Sequence, residues 1–144
     1  MKKSRFMVIS VGIAMVLLLV AANWVRALFT KSKAWAMHSC VESLASAVQL
    51  AVQTNSIALP NRLGAAPQPI DERLLAELAK IGSLDCAHMQ VNAAGHFCDA
   101  WGSEILIKRS SPAEGTTNLT VVSLGPDRKQ GTRDDIEASR SLSR

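Results

Sequence analysis

Residues 6–25 read FMVISVGIAMVLLLVAANWV, and residues 34–51 read AWAMHSCVESLASAVQLA. The first stretch is apolar except for Ser10, Gly12 and Asn23. As a helix it is long enough to cross roughly 30 Å of hydrocarbon. The second is amphipathic: Met37, Val41, Leu44, Val48 and Ala51 recur every three or four residues, with Glu42, Ser46 and Gln49 off that stripe. No proline interrupts the chain before Pro60. The two stretches therefore predict one helix from residue 6 to about residue 58, a rod of roughly 80 Å at about 1.5 Å per residue. Its first half suits lipid, and its second half offers an apolar face to a small domain.

Charge divides along the same line. Lys2, Lys3, Arg5, Arg26, Lys31 and Lys33 precede any acid, whereas the remaining 10 basic and 12 acidic residues leave the rest slightly negative within a total of +4. Cations placed on both sides of an apolar run suit anionic headgroups. A nucleic-acid partner is not expected, because it calls for a basic face on the folded part. Two readings fit residues 1–30. One is a signal peptide with MKKSR as its basic head, cleaved after Ala22. The other is a retained anchor with Trp24 and Arg26 at the interface, favoured by the length of the run. Either exports residues 34–144. The expected organisation is a cytoplasmic basic tip and membrane anchor over 1–30, then an exported α+β domain over 31–144.

Further on, Pro60, Gly64, Pro67 and Pro69 mark LPNRLGAAPQP (59–69) as a loop. IDERLLAELAKIGS then predicts a short helix. Asp71 is its N-cap, Ile70 and Leu75 form a hydrophobic staple, Gly82 is its end, and Leu74, Leu75, Leu78 and Ile81 are its buried face. Beyond it the period shortens. Residues 88–91, 104–108 and 119–124 predict three strands, with turns at NAAG (92–95) and SSPAEG (110–115) between them. A long helix on an antiparallel sheet of about three strands is an α+β fold.

Cys86-Ala-His88 and His96-Phe-Cys98 mirror each other about NAAG. A hairpin pairing Cys86 with Cys98 and His88 with His96 would set all four side chains on one face. A Cys86–Cys98 disulfide suits a small exported domain. A Cys₂His₂ zinc site is disfavoured by the short spacing. The plainer alternative is two thiols and two solvated histidines. Cys40 has no evident partner in this scheme, and His38 is read as structural. No nucleophile elbow or glycine-rich phosphate loop occurs, so no enzyme activity is expected.

The chain closes with SLGPDRKQGTRDDI, residues 123–136. Asp127, Asp134 and Asp135 bring hard oxygens to one loop, and backbone carbonyls near Ser123 and Leu124 would complete a calcium shell. An ordinary surface turn, its charge offset by Arg128, Lys129 and Arg133, fits equally well. Together with Asp99-Ala100-Trp101-Gly102, this stretch resembles the C-terminal half of type II secretion major pseudopilins and type IV pilin-like proteins. Those usually carry Asp-Pro-Trp-Gly, a strand, and then Ser-x-Gly-x-Asp-Gly ending in an Asp-Ile. The resemblance covers about residues 95–136. It implies a long N-terminal helix packed on an antiparallel sheet, a calcium-binding loop, and a structural role beside other pseudopilin or pilus subunits. It also implies a single-pass place in a bacterial inner membrane with the domain in the periplasm. An anchored periplasmic module that binds calcium or a partner without entering a filament is the alternative. The chain departs from the pattern at Ala100 and Arg128, and in having no acid before Glu42 and no prepilin cleavage site around Phe6.

Overall fold

The structure, a computed structural model, describes residues 2–54, 66–86, 89–110 and 117–142, with side chains from residue 14 onward. It is α+β. In chain order the elements are α1 (Lys2–Gln53), β1 (Gln68–Pro69), α2 (Glu72–Ile81), β2 (Gln90–Val91), β3 (Phe97–Cys98), β4 (Leu106–Ser110), β5 (Thr117–Ser123) and β6 (Ile136–Leu142). The chain divides into two compact units, residues 1–33 and residues 34–144.

In the first unit, the side chains of α1 from Ala14 on are exposed. Met15 to Val20 form an apolar run open to the surroundings. By length and composition, α1 qualifies as a membrane-crossing helix. Among the described residues of this unit, none covers that surface.

In the second unit, α1 supplies the core. The predicted stripe Met37, Val41, Leu44, Val48 and Ala51 is fully buried, against Ile70, Leu78, Phe97, Ile105, Ile107, Leu119, Val121 and Ala138. Each large aliphatic side chain buried this way contributes about 1.5–3 kcal/mol. The helix ends at Gln53, short of the expected residue 58. Thr54 closes it, its amide and hydroxyl both reaching Leu50 O at 2.9 and 2.8 Å. A β-branched residue whose hydroxyl serves the preceding turn is a natural terminus. Pro60 and Gly64 lie outside the described residues.

The sheet is antiparallel with order β1-β4-β5-β6. It differs from the expected three strands in two ways. The strand read at 88–91 is β2, which pairs only with β3 in a separate ribbon. Its place beside β4 is taken by β1, and β6, a strand not expected, pairs along its whole length with the other side of β5. Gln68–Pro69, read as loop, forms the edge strand β1 against β4. Pro69 is tolerated there because an edge strand needs no donor on its outer side. The register aligns Ile107 with Val121 and Val121 with Ala138, which makes one apolar row under the helix. Opposite Leu119, Arg140 of β6 pairs with Glu42 and Ser46 of α1, and Gln49 Nε2 donates to Ser141 O at 3.2 Å.

α2 follows the predicted punctuation. Asp71 accepts from the Leu74 amide at 2.6 Å, and Gly82 closes the last turn by donating to Leu78 O at 3.2 Å. Gly82 is extended, with φ −147°, so it is not a left-handed cap. A Cβ there would rest in ordinary contact with Ala47.

Candidate functional site

The hairpin between β2 and β3 is built by Asn92. Its Oδ1 accepts from the amides of Ala94 and His96, each at 2.9 Å. Its carbonyl accepts from Gly95 at 2.9 Å, and Gly95 takes φ 79°. That three-residue loop ending in a left-handed glycine pairs Gln90 with Cys98 and Val91 with Phe97. The register is thus displaced by four residues from the one that would face Cys86 to Cys98.

The expected Cys86–Cys98 disulfide is therefore corrected: Cys86 is bonded to Cys40, and Cys98 is free and buried. The segment carrying Cys86 is docked on α1 by its neighbour Asp85, whose carboxylate accepts from Ser39 at 2.9 Å and whose amide donates to Ser43 Oγ at 3.3 Å. Met89 Sδ lies 3.2 Å from Cys40 Sγ. With Cys86 so engaged, the Cys₂His₂ zinc set is not assembled, and His88 lies outside the described residues. His96 meets an acid instead: its Nδ1 is 2.7 Å from Glu104 Oε1, which also takes Asn92 Nδ2 at 3.1 Å. These bonds, that of His96 foremost, hold the Glu104 carboxyl below the usual range. The Cys98 thiol is pushed up, mainly by burial and then by the Glu104 and Asp99 charges. A thiol so placed stays protonated and is a poor nucleophile.

The second cluster joins the Asp99–Gly102 turn to the loop after β5. Asp99 is buried, and both of its carboxylate oxygens accept hydrogen bonds. Oδ1 accepts from the amides of Trp101 and Ser103 at 3.0 and 2.9 Å, and Oδ2 accepts from Ser123 Oγ at 2.7 Å. Gly102 carries the turn's positive φ of 83°. Ser123, expected only as a carbonyl donor near an ion, is a buried hydroxyl that ties the turn to the start of the loop.

Within the loop the carboxylates brace backbone. Asp127 Oδ1 accepts from the Lys129 amide at 2.8 Å, Asp134 Oδ2 from the Asp127 amide at 2.9 Å, and Asp135 Oδ2 from the Gly131 amide at 2.7 Å. Thr132 Oγ1, a residue sequence reasoning missed, is 2.6 Å from Asp134 Oδ1. That hydroxyl first, and the Asp127 amide second, keep the Asp134 carboxyl below its ordinary value. Leu124 is half-buried at the loop's mouth. Gly125 has φ 64°, and a Cβ on it would stand 2.2 Å from Asp134 O. Arg128, where the resembling family has glycine, also has a left-handed φ, 58°. In kind these oxygens are calcium ligands. In placement they serve the loop's own amides, and among the described residues no three acidic, histidine or cysteine side chains gather into a metal-holding group.

No family model, no curated protein and no solved structure matches this chain.

Proposed function

We propose that the chain is a membrane-anchored, pilin-like structural subunit of a type II secretion or type IV pilus-like assembly. It would be single-pass in a bacterial inner membrane, with residues 34–144 in the periplasm and other pseudopilin or pilus subunits as partners. One observation carries this reading. The same helix, α1, has exposed apolar side chains from Ala14 onward and a buried stripe from Met37 to Ala51 under an antiparallel sheet. Such a helix is useful where its open part meets lipid or neighbouring helices. The resemblance of residues 95–136 to pseudopilins supports the same reading.

Helix contacts test it. Leu17→Cys and Leu18→Cys variants, oxidised in native membranes, are expected to yield crosslinked species larger than the monomer. Monomer alone at both positions would overturn the assembly role. N-terminal sequencing of the mature chain reads the other requirement, retention of the helix, which cleavage after Ala22 would contradict.

The second reading is an anchored module without a filament role whose 123–136 loop takes calcium. What favours it is the juxtaposition of Asp127 and Asp134, joined through the Asp127 amide. Asp135 and the Ser123 and Leu124 carbonyls would complete the donor set. Binding of that kind is expected near 10⁻⁴ M, as in extracellular modules. Calcium at tenfold that concentration would then stabilise the protein by about 1.4 kcal/mol. Thermal unfolding with calcium, magnesium or chelator decides it: a calcium midpoint no higher than the magnesium one leaves the loop self-braced.

A further inference from the structure

The two sulfurs of the Cys40–Cys86 bond stand in unlike surroundings. Cys40 is 1 % exposed, a member of the core beside Val41, and Met89 Sδ lies 3.2 Å from its sulfur. Cys86 is only half-buried. The segment that carries Cys86 has other ties to α1. Asp85 accepts from Ser39 Oγ and donates its amide to Ser43 Oγ, and Ser43 Oγ in turn donates to Cys40 O at 2.9 Å. None of these bonds involves sulfur, so they still hold Cys86 beside Cys40 when the disulfide opens. The third cysteine is elsewhere. Cys98 stands opposite Gln90 in the β2–β3 ribbon, 5 % exposed, with Glu104 and Asp99 as its charged neighbours.

We infer that this pair is a one-sided thiol-exchange site: small aliphatic thiols and disulfides enter at Cys86, and Cys40 is the resolving thiol. In such an exchange access decides which sulfur is attacked. The entering thiol loses its proton and bonds to Cys86 Sγ while the Cys40–Cys86 bond breaks. Cys40 leaves with the electron pair and takes up a proton, so one thiol is consumed and one is released. The return step is the reverse: the Cys40 thiolate attacks Cys86 Sγ and expels the small thiol. Because the segment stays docked, that attack is intramolecular and outruns a second molecule from solution. An adduct on Cys86 is therefore short-lived while Cys40 is present and accumulates when Cys40 is absent. This behaviour belongs to residues 34–144 and does not depend on an assembly role.

The full chain in detergent tests this, with glutathione disulfide as the probe and mass spectrometry of a non-reduced digest as the readout. Cys40→Ala is expected to collect a stable glutathione adduct on Cys86. Cys86→Ser is expected to be labelled at Cys40 at least about tenfold more slowly, because the core must first open locally. In unfolding urea the two variants should react at the same rate. The reduced wild type repeats the comparison without a substitution: a brief pulse of iodoacetamide should mark Cys86 before Cys40 and Cys98. Returned to glutathione disulfide without denaturant, the reduced wild type should regain Cys40–Cys86 and retain no glutathione. Cys40 labelled as fast as Cys86 in the folded chain overturns the inference, as does a difference that persists in urea. Glutathione retained on wild-type Cys86, or Cys98 found in a bond after re-oxidation, overturns it equally.

Discussion

Replacing Cys86 by serine removes the Cys40–Cys86 crosslink and little else. Cys86 is only half-buried, Ser43 lies beside it, and the released Cys40 thiol keeps its contact with Met89 Sδ. The cost then follows from the loop the bond closes. The two cysteines are 46 residues apart, and the chain-entropy relation gives about 4 kcal/mol at 25 °C for a loop of that length. With a urea slope of roughly 1–3 kcal/mol per molar, the unfolding midpoint should fall by about 2 M. The assay is urea unfolding of the full chain in detergent, purified without reductant. Reductant should bring the wild type to the Cys86→Ser midpoint and leave the variant unmoved. Cys98→Ala is the control: it deletes one buried sulfur and should cost about 1 kcal/mol by packing, with no response to reductant. A non-reduced digest supplies the covalent evidence. If Cys86 is found bonded to Cys98, or if Cys98→Ala abolishes the response to reductant, the reasoning from the hairpin register is refuted.

Three further outcomes are expected. In the loop, Gly125→Ala meets both a left-handed φ and the Asp134 carbonyl and should cost at least about 2 kcal/mol, whereas Arg128→Gly relieves φ 58° and should gain about 0.5–1 kcal/mol in thermal or chemical unfolding. Asp99→Ala strands three donors and should cost about 3 kcal/mol or more, while Asp99→Ala with Ser123→Ala should cost less than the sum of the singles; a strictly additive cycle would show that the pair does not act together. Glu104 is held below its ordinary value in the fold, so its contribution is present above about pH 4.3 and lost as pH falls through the lowered value. Glu104→Gln should therefore be less stable near pH 7, by under about 1 kcal/mol because the pair is partly solvated, and should converge with wild type in acid.

The elements that could be read from the sequence are those whose information is local. The stripe on α1 repeats with the helix period, and the caps of α2 stand within a turn of what they cap: Asp71 to the Leu74 amide, Gly82 to Leu78 O. The hairpin register was hidden because it depends on which atoms Asn92 chooses. Its side chain bonds two amides and moves the turn's centre, which redirects both cysteines. β6 was hidden by composition, since IEASRSL has little of the β-branched and aromatic character that marks a strand. Its pairing comes from β5, with the buried Ala138 set opposite Val121. In the candidate loop, the aspartates were visible as a cluster. Their use as braces was not, nor was the bond between Asp99 and Ser123, which crosses the fold between residues far apart in the chain. Arg128 was legible as a departure, and the structure gives it a physical meaning, a side chain in a backbone conformation that suits glycine.

The Cys40–Cys86 bond also makes residues 40–86 a closed ring that holds the end of α1, β1 and all of α2. A single hydrolysed peptide bond anywhere inside that ring opens it without dividing the molecule. The N-terminal helix and the C-terminal strands would still travel as one species until a reductant separated them. A protease acting on this stretch would thus leave a nicked protein that runs at full length on a non-reducing gel and as two fragments on a reducing one, with the sheet still tethered to its helix.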